Sequence, residues 1–245
     1  MILLEDTRQQ EYKHKAKHDY FRSVNVHCNR TALYCGDYTL PANQSVCVDT
    51  KKDIAELIGD IQVKQMAKRE IKDRVHAICL GNGIATGGEE PIYNAICDDD
   101  TDRFAEKDIN DVCYLYGIPE SIIASFQALY VKRHGFFHRG LKRAQNSKIK
   151  LYILIANNDG VSSLEDLFRW HNPRLDWMKY SNQIIGYWKN GKPRYKKVQK
   201  YPTATKGESL AKACITMQNK YGCEFIFCSP EEQGKKVLEL LGIEV

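Results

Sequence analysis

The sequence has no apolar stretch long enough to cross a bilayer. Its longest uninterrupted apolar run is residues 151–156, LYILIA, where a spanning helix needs roughly 20 residues. The opening MILLEDTRQQ reaches Glu5 and Asp6 too soon for the apolar core of a signal peptide, which predicts a protein that is neither secreted nor membrane-embedded. No C-x-x-C pair occurs among the nine cysteines. An odd set without that spacing, in a chain too long to need disulfide staples, predicts reduced thiols in a cytosol. Internal repeats and low-complexity tracts are missing too. With 7 Pro and 16 Gly in 245 residues, and 43% hydrophobic residues, the composition excludes collagenous and disordered classes and supplies a sizeable core.

Charge is present but segregated. Residues 75–131 hold ten acids, Glu89, Glu90, Asp98, Asp99, Asp100, Asp102, Glu106, Asp108, Asp111 and Glu120, against Arg103 and Lys107. That block is −8, so the net charge of +5 leaves +13 on the rest of the chain. A body so basic suits a polyanion, because each cation that meets a phosphate releases counterions. No acid at all lies between Asp176 and Glu208. This window carries Lys179, Lys189, Lys192, Arg194, Lys196, Lys197, Lys200 and Lys206, interleaved with Tyr180, Tyr187, Trp188, Tyr195 and Tyr201. Cations can follow a backbone while aromatic faces stack on bases, and the turn at Asn190–Pro193 predicts a hairpin that presents them. The expected partner is DNA, with RNA not excluded; the alternative is a basic hairpin whose aromatics pack on the body.

Strand and helix patterns alternate, which predicts an α/β fold. Short strands are expected at residues 1–4, 32–40, 45–50, 150–156 and 224–228. Helices are expected over 9–23, from Asp53 with Ile54, Leu57, Ile58 and Ile61 on one face, over 134–146, 164–170 and 208–219, and from Pro230 to Leu241. The acidic block, with its Gly-rich 80–88 and helical 109–116 and 120–131, is expected to be an insertion into one domain spanning 1–245.

Two stretches carry candidate chemistry, Gly36-Asp37-Tyr38 and Asp49-Thr50-Lys51. If their strands pair as a hairpin, both carboxylates and the lysine converge at one sheet edge. Paired carboxylates hold a hard dication that keeps water on the site. A lysine two residues from a carboxylate on a strand shares its face and can orient a water or stabilise charge in the transition state. Asp6, ending the first strand, can join as a ligand or support. Spacing alone leaves open an ordinary strand-end ion pair.

The set as a whole resembles the XPF-type nuclease domain of the PD-(D/E)XK superfamily, in the single-domain form found in phages and prophages. The resemblance rests on Ile2-Leu-Leu-Glu-Asp-Thr-Arg8, Leu33-Tyr-Cys-Gly-Asp-Tyr-Thr-Leu40, Val46-Cys-Val-Asp-Thr-Lys-Lys52 with Glu56-Leu-Ile58, and Lys150-Leu-Tyr-Ile-Leu-Ile155. Thr205-Lys-Gly-Glu-Ser-Leu-Ala-Lys212 and Phe225-Ile-Phe-Cys-Ser-Pro230 add to it, so it covers residues 1–74 and about 132–245. It implies a restriction-endonuclease-like mixed sheet flanked by helices, Asp37 and Asp49 as ligands of Mg²⁺ or Mn²⁺, Lys51 as catalytic lysine, and Asp6 and Arg8 as supporting groups. The implied reaction is phosphodiester hydrolysis of DNA, on branched or single-stranded substrates among others, in the cytoplasm of a bacterial or phage-infected cell. Dimerisation is common in the family and implies a possible homodimer.

The chain departs from the family pattern at several places. Glu-Arg-Lys is Asp49-Thr50-Lys51, and Ala55 stands where an acid is expected, with Asp53 and Glu56 beside it. Gly140 replaces a helical Glu or Gln, and Ala156 a strand-end Glu. The alternative is therefore a degenerate nuclease fold that binds nucleic acid or a host protein without cutting. His138 and Arg139 are candidates to compensate near the phosphate. In the insertion, His76, Cys79, Cys97 and Cys113 lack the paired spacing of structural zinc, since only His76 and Cys79 are close. Residues 80–88 lack the Lys-Ser/Thr of a phosphate loop. The acidic block is expected to shield the basic groove, dock a protein partner, or simply present a solvated face.

Overall fold

A computed structural model describes residues 1–9, 15–62, 66–97 and 105–243. Its strands are β1 (Ile2–Asp6), β2 (His27–Thr31), β3 (Tyr38–Leu40), β4 (Asn43–Lys51), β5 (Lys150–Ala156), β6 (Met178–Tyr187), β7 (Pro193–Gln199) and β8 (Glu224–Cys228). Six form one mixed sheet in the order β2-β1-β3-β4-β5-β8, and β6 and β7 form a separate ribbon. The β1–β2, β4–β5 and β5–β8 pairs are parallel, whereas β3 runs antiparallel to both its neighbours.

Helices cover both faces. On one side α2 (Ile54–Ile61), α7 (Phe136–Asn146) and α9 (Gly207–Tyr221) pack on Cys47, Leu151, Ile153, Ile155 and Phe225. On the other, α1 (Lys15–Ser23) and α10 (Gln233–Leu240) cover Leu3, Tyr38, Val48 and Leu154. The apolar run of β5 is explained by this: a parallel strand covered on both faces has no polar side. In β4 the strand period of two sends Cys47 to one core and Val48 to the other. Among the described residues no helix is long and apolar enough to cross a membrane.

Several boundaries differ from the sequence expectation for local reasons. The edge strand β2, HCNRT, is mostly exposed; it is held by backbone pairing to β1 rather than by an apolar face, so it carries no hydrophobic pattern. The expected strand over 32–40 shrinks to β3, because Gly36 adopts φ +69° and turns the chain, a conformation that suits glycine. The last helix starts at Gln233, not Pro230. Ser229 Oγ donates to the Glu232 carboxylate at 2.9 Å and ties residues 229–232 into a turn first.

Among its described residues the acidic insertion holds α3 (Lys68–Gly81), α4 (Glu89–Cys97), α5 (Ala105–Leu115) and α6 (Glu120–His134). A further short α-helix is α8 (Leu164–Arg169). Ile71, Val75, Ile92, Ile96, Phe126 and Tyr130 belong to a core of the insertion's own, apart from the two cores of the sheet. The Met66 N–H donates to the Lys132 carbonyl at 3.0 Å and closes its base. The expected bounds of 75–131 therefore cut into α3 and α6: charge segregates from residue 75, but packing already begins at Ile71. Asp98, Asp99, Asp100, Asp102 and Arg103 lie outside the described residues.

Candidate active site

The ends of β1, β3 and β4 gather the carboxylates that the sequence singles out. The Asp37 N–H donates to the Val48 carbonyl at 2.8 Å, and the Asp6 N–H to the Asp37 carbonyl at 2.9 Å. The antiparallel β3–β4 pairing thus brings Asp37 beside Asp49, and Asp6 adjoins them. Together with Arg8 and Lys51 they line one cleft of about 700 Å³. The opposite walls come from α2, with Glu56 and Asp60, and from α7, with Phe137, Gly140 and Arg143. Asp53 sets α2 at this edge as its N-cap, accepting from the Glu56 N–H at 2.7 Å, which satisfies a free donor of the first turn.

Lys51 sits at the centre, its Nζ 2.8 Å from Asp49 Oδ1 and 2.8 Å from Asp60 Oδ2. Phe137 lies under the ammonium, 5.0 Å from ring centre to Nζ. Burial opposes the lysine's charge, but the Asp49 and Asp60 carboxylates outweigh it and hold its pKa above the ordinary lysine range. Asp49 shows the reverse balance. Burial pushes it up to about 6, Asp37 and Asp60 add to the rise, and Lys51 opposes it.

Asp37 is held through one oxygen. Its Oδ2 accepts from the Thr50 N–H at 2.7 Å and from the Thr50 hydroxyl at 2.8 Å, while Oδ1 has no hydrogen-bond partner among the described residues. The same hydroxyl accepts from the buried Lys17 Nζ at 2.7 Å. Because a hydroxyl has one proton, that contact directs it toward Asp37. Burial pushes the Lys17 amine down to about 8, against the pull of Asp37 and Glu5. Asp6 is occupied by Arg8: the guanidinium bonds both its oxygens, and the Arg8 N–H adds a third bond at 2.7 Å. Burial would raise the Asp6 pKa, but these bonds hold it below the ordinary carboxylate value. With both oxygens bonded to Arg8, Asp6 is less open to a cation than Asp37.

Asp60, Arg143 and Lys17 stand at or behind this cleft but are absent from the sequence expectation, which names Glu56 only as an acid beside Ala55. Asp60 pairs with Lys51 from α2, one helical turn beyond Glu56, and that i, i+4 spacing on the polar side of α2 was its signal. Glu56 faces the cleft and accepts from the Lys52 N–H at 2.8 Å. Arg143 also lines the cleft and has no carboxylate partner among the described residues; burial lowers its pKa, and Arg8 lowers it further. Lys17 carries no sequence signal, because only the packing of α1 on the sheet brings it under Thr50. His138 and Arg139 turn elsewhere. His138 meets the Tyr221 ring, and Arg139, one helical turn before Arg143, stacks on Tyr130 and Phe136 instead of lining the cleft.

The basic window forms the β6–β7 ribbon, with both faces largely open. Lys189 and Lys192 flank its turn, Arg194, Lys196 and Lys197 lie on β7, and Lys200 follows it. Lys206 lies off the ribbon, at the N-cap of α9. All seven are exposed. Arg194 sits over the Trp188 ring at 5.3 Å, Lys197 over Tyr180 at 5.6 Å and Lys200 over Trp177 at 5.5 Å. Tyr180, Tyr187, Trp188 and Tyr195 stay exposed with the cations, while Tyr201 is half-buried against Trp177.

Among the described residues no group of three or more His, Cys, Asp or Glu is arranged to hold a metal. A two-carboxylate set still fits a magnesium-type ion, which takes one or two carboxylates and otherwise keeps water. Asp37 has an oxygen to spare, and Asp49 is a carboxylate whose ionisation is opposed by its surroundings until a cation offsets them. Of the insertion residues weighed for zinc, Cys79, Cys97 and Cys113 are buried in its core, while exposed His76 pairs with Glu89 at 3.0 Å. All nine cysteines are free thiols. Fold and site together define a mixed α/β protein with a carboxylate–lysine cleft at the strand ends. In comparisons with known proteins, no family model, no curated protein and no solved structure matches the chain.

Proposed function

We propose that the chain is a metal-dependent phosphodiesterase acting on DNA, with a restriction-endonuclease-like sheet of the XPF type. The observation that carries this reading is the meeting of Asp37, Asp49 and Lys51 in one cleft, with Arg8 and Arg143 in its wall. Asp37 and Asp49 would hold Mg²⁺ or Mn²⁺. Such an ion, when bound, lowers the pKa of a water and neutralises charge on the phosphoryl group. The chain's own groups supply the rest. Thr50 fixes the Asp37 carboxylate through one oxygen. Lys51, kept charged by Asp49 and Asp60, offers N–H donors where negative charge builds on the phosphate. Arg143 draws in the backbone, and the ribbon engages further phosphates and bases. Water attacks phosphorus as the P–O bond breaks, without a covalent intermediate.

A second reading, nucleic-acid or host-protein binding without cutting, is favoured by two features. Lys51 is shared between two carboxylates, and Gly140 and Ala156 put no acid where the family has one. Cleavage of labelled single-stranded, duplex and branched DNA with Mg²⁺ or Mn²⁺ decides between them. The nuclease reading expects metal-dependent cutting that is lost in Asp49→Ala and Lys51→Ala. Intact binding with no cutting in the wild type leaves the second reading standing.

A further inference from the structure

A cavity of about 290 Å³ lies between the cleft and the root of the ribbon, at the lower end of small-molecule sites (roughly 300–1,000 Å³). One wall is the flank of α2 that carries Ile54, Ala55 and Ile58. The other flank of the same helix carries Glu56 and Asp60 in the cleft, so one helix width, roughly 10 Å, separates the two sites. The facing wall is formed by Trp170, Pro173 and Ala204, beside the ring pair of Trp177 and Tyr201 at the ribbon's base, with centroids 5.8 Å apart. Asn172 is buried and pins the frame: its Nδ2 donates to the Thr205 carbonyl at 2.8 Å, and its Oδ1 accepts from the Arg174 N–H at 3.0 Å.

Several polar atoms of this cavity are left over by the fold. The buried Thr205 hydroxyl has no hydrogen-bond partner among the described residues. Asp159 makes no side-chain hydrogen bond or ion pair among the described residues, and Asp53 commits only Oδ1 to its cap. Arg174 adds a guanidinium, 5.8 Å from the Tyr201 ring. Apolar walls, two carboxylates and one guanidinium match a flat ring that offers neighbouring N–H donors beside a carbonyl. Guanine has that edge: N1–H and the exocyclic amine face a carboxylate, and O6 faces a guanidinium. Adenine and cytosine place a lone pair next to their amine, which a carboxylate repels, and thymine flanks its single N–H with two carbonyls.

We infer that this cavity receives one guanine base, turned out from a strand that passes from the ribbon to the cleft. The inference rests on the nucleic-acid reading above and adds a base preference to it. The test is fluorescence anisotropy, in buffer containing EDTA, of a labelled twelve-residue thymidine strand and of strands with one central dG, dA or dC. The dG strand binds about tenfold tighter than the all-thymidine strand, in line with stacking plus base-edge contacts. Ala204→Leu, which fills the cavity, removes that preference while all-thymidine affinity and Tm stay unchanged. Thr205→Val, nearly the same in shape, reduces it severalfold. Equal affinity for all four strands, a preference for another base, or a dG preference that survives Ala204→Leu overturns the inference and leaves the ribbon's role intact. If no strand binds, the nucleic-acid reading fails and the base site with it.

Discussion

Asp49→Asn separates the stability of the cleft from its chemistry. The Asp49 carboxyl is lifted from 3.8 to about 6, so the folded protein holds this proton more tightly than the unfolded chain does. An acid shifted in this direction subtracts stability as pH rises from about 4 to about 6, and the loss is complete above that window. At about 1.4 kcal/mol per pH unit, the shift corresponds to at most about 3 kcal/mol. Asp49 is 22% exposed and shares Lys51 with Asp60, so a gain of about 1–2 kcal/mol is expected when asparagine removes the charge. That is a rise in Tm of about 2–6 °C at pH 8 for a chain of this size. Urea unfolding at pH 8 and pH 4 checks it: the variant is more stable than wild type at pH 8, and the two converge at pH 4. Mn²⁺ raises the Tm of the wild type and leaves that of Asp49→Asn unchanged, because an ion that binds only the native carboxylate pair stabilises by mass action. A variant less stable than wild type by the same amount at both pH values would refute the reasoning. Asp49 would then be a structural partner of Lys51 and nothing more.

Lys51→Met leaves Asp49 and Asp60 facing each other without a cation. A loss of about 2–4 kcal/mol in urea unfolding at pH 8 is expected, the upper part of the buried-pair range being reduced because Asp60 is 32% exposed; no loss would show that the bridge is not structural. Lys17→Met acts with the opposite sign. The buried amine is pushed down to about 8, so its charge subtracts stability below pH 8 and the deficit fades toward pH 10.5; the variant gains stability at pH 7 and not at pH 10.5, measured by chemical unfolding at both. Arg143→Met keeps its Tm but binds oligonucleotides more weakly, and the slope of log affinity against log salt falls by about one; an unchanged slope would place Arg143 off the nucleic-acid path. Phe126→Ala costs about 3–5 kcal/mol by emptying part of the insertion's core. Native-state hydrogen exchange should accelerate in α3–α6 and not in β4 or β5, and uniform acceleration would contradict a core of its own.

The catalytic candidates were legible because strand ends leave local marks. Gly36 before Asp37 and the alternation of Val46, Val48 and Thr50 point to two extended segments, and a period of two puts Asp49 and Lys51 on one face without any knowledge of the neighbours. The same holds for β5, β8 and α2, whose apolar patterns reflect what each element buries. Asp60 had only its i, i+4 spacing from Glu56 as a mark, and Arg143 and Lys17 were hidden for a shared reason. Each reaches the cleft, or the back of it, from a helix whose docking angle is set by packing, and a polar residue on a helix flank looks the same whether it meets solvent or a carboxylate. The edge strand β2 was hidden because hydrogen bonds to β1 hold it, and these have no side-chain signature.

Local pattern and charge alone therefore determine the α/β class, the basic aromatic ribbon, the acidic insertion and the pairing of Asp49 with Lys51. Tertiary packing decides that Asp6 is taken by Arg8, that Lys51 is shared with Asp60, and that Thr50 turns its proton toward Asp37. It also decides that a cavity opens between α2 and the ribbon root. Periodicity is a property of each segment by itself, whereas proton affinity and hydrogen-bond direction depend on which distant groups approach within a few ångströms.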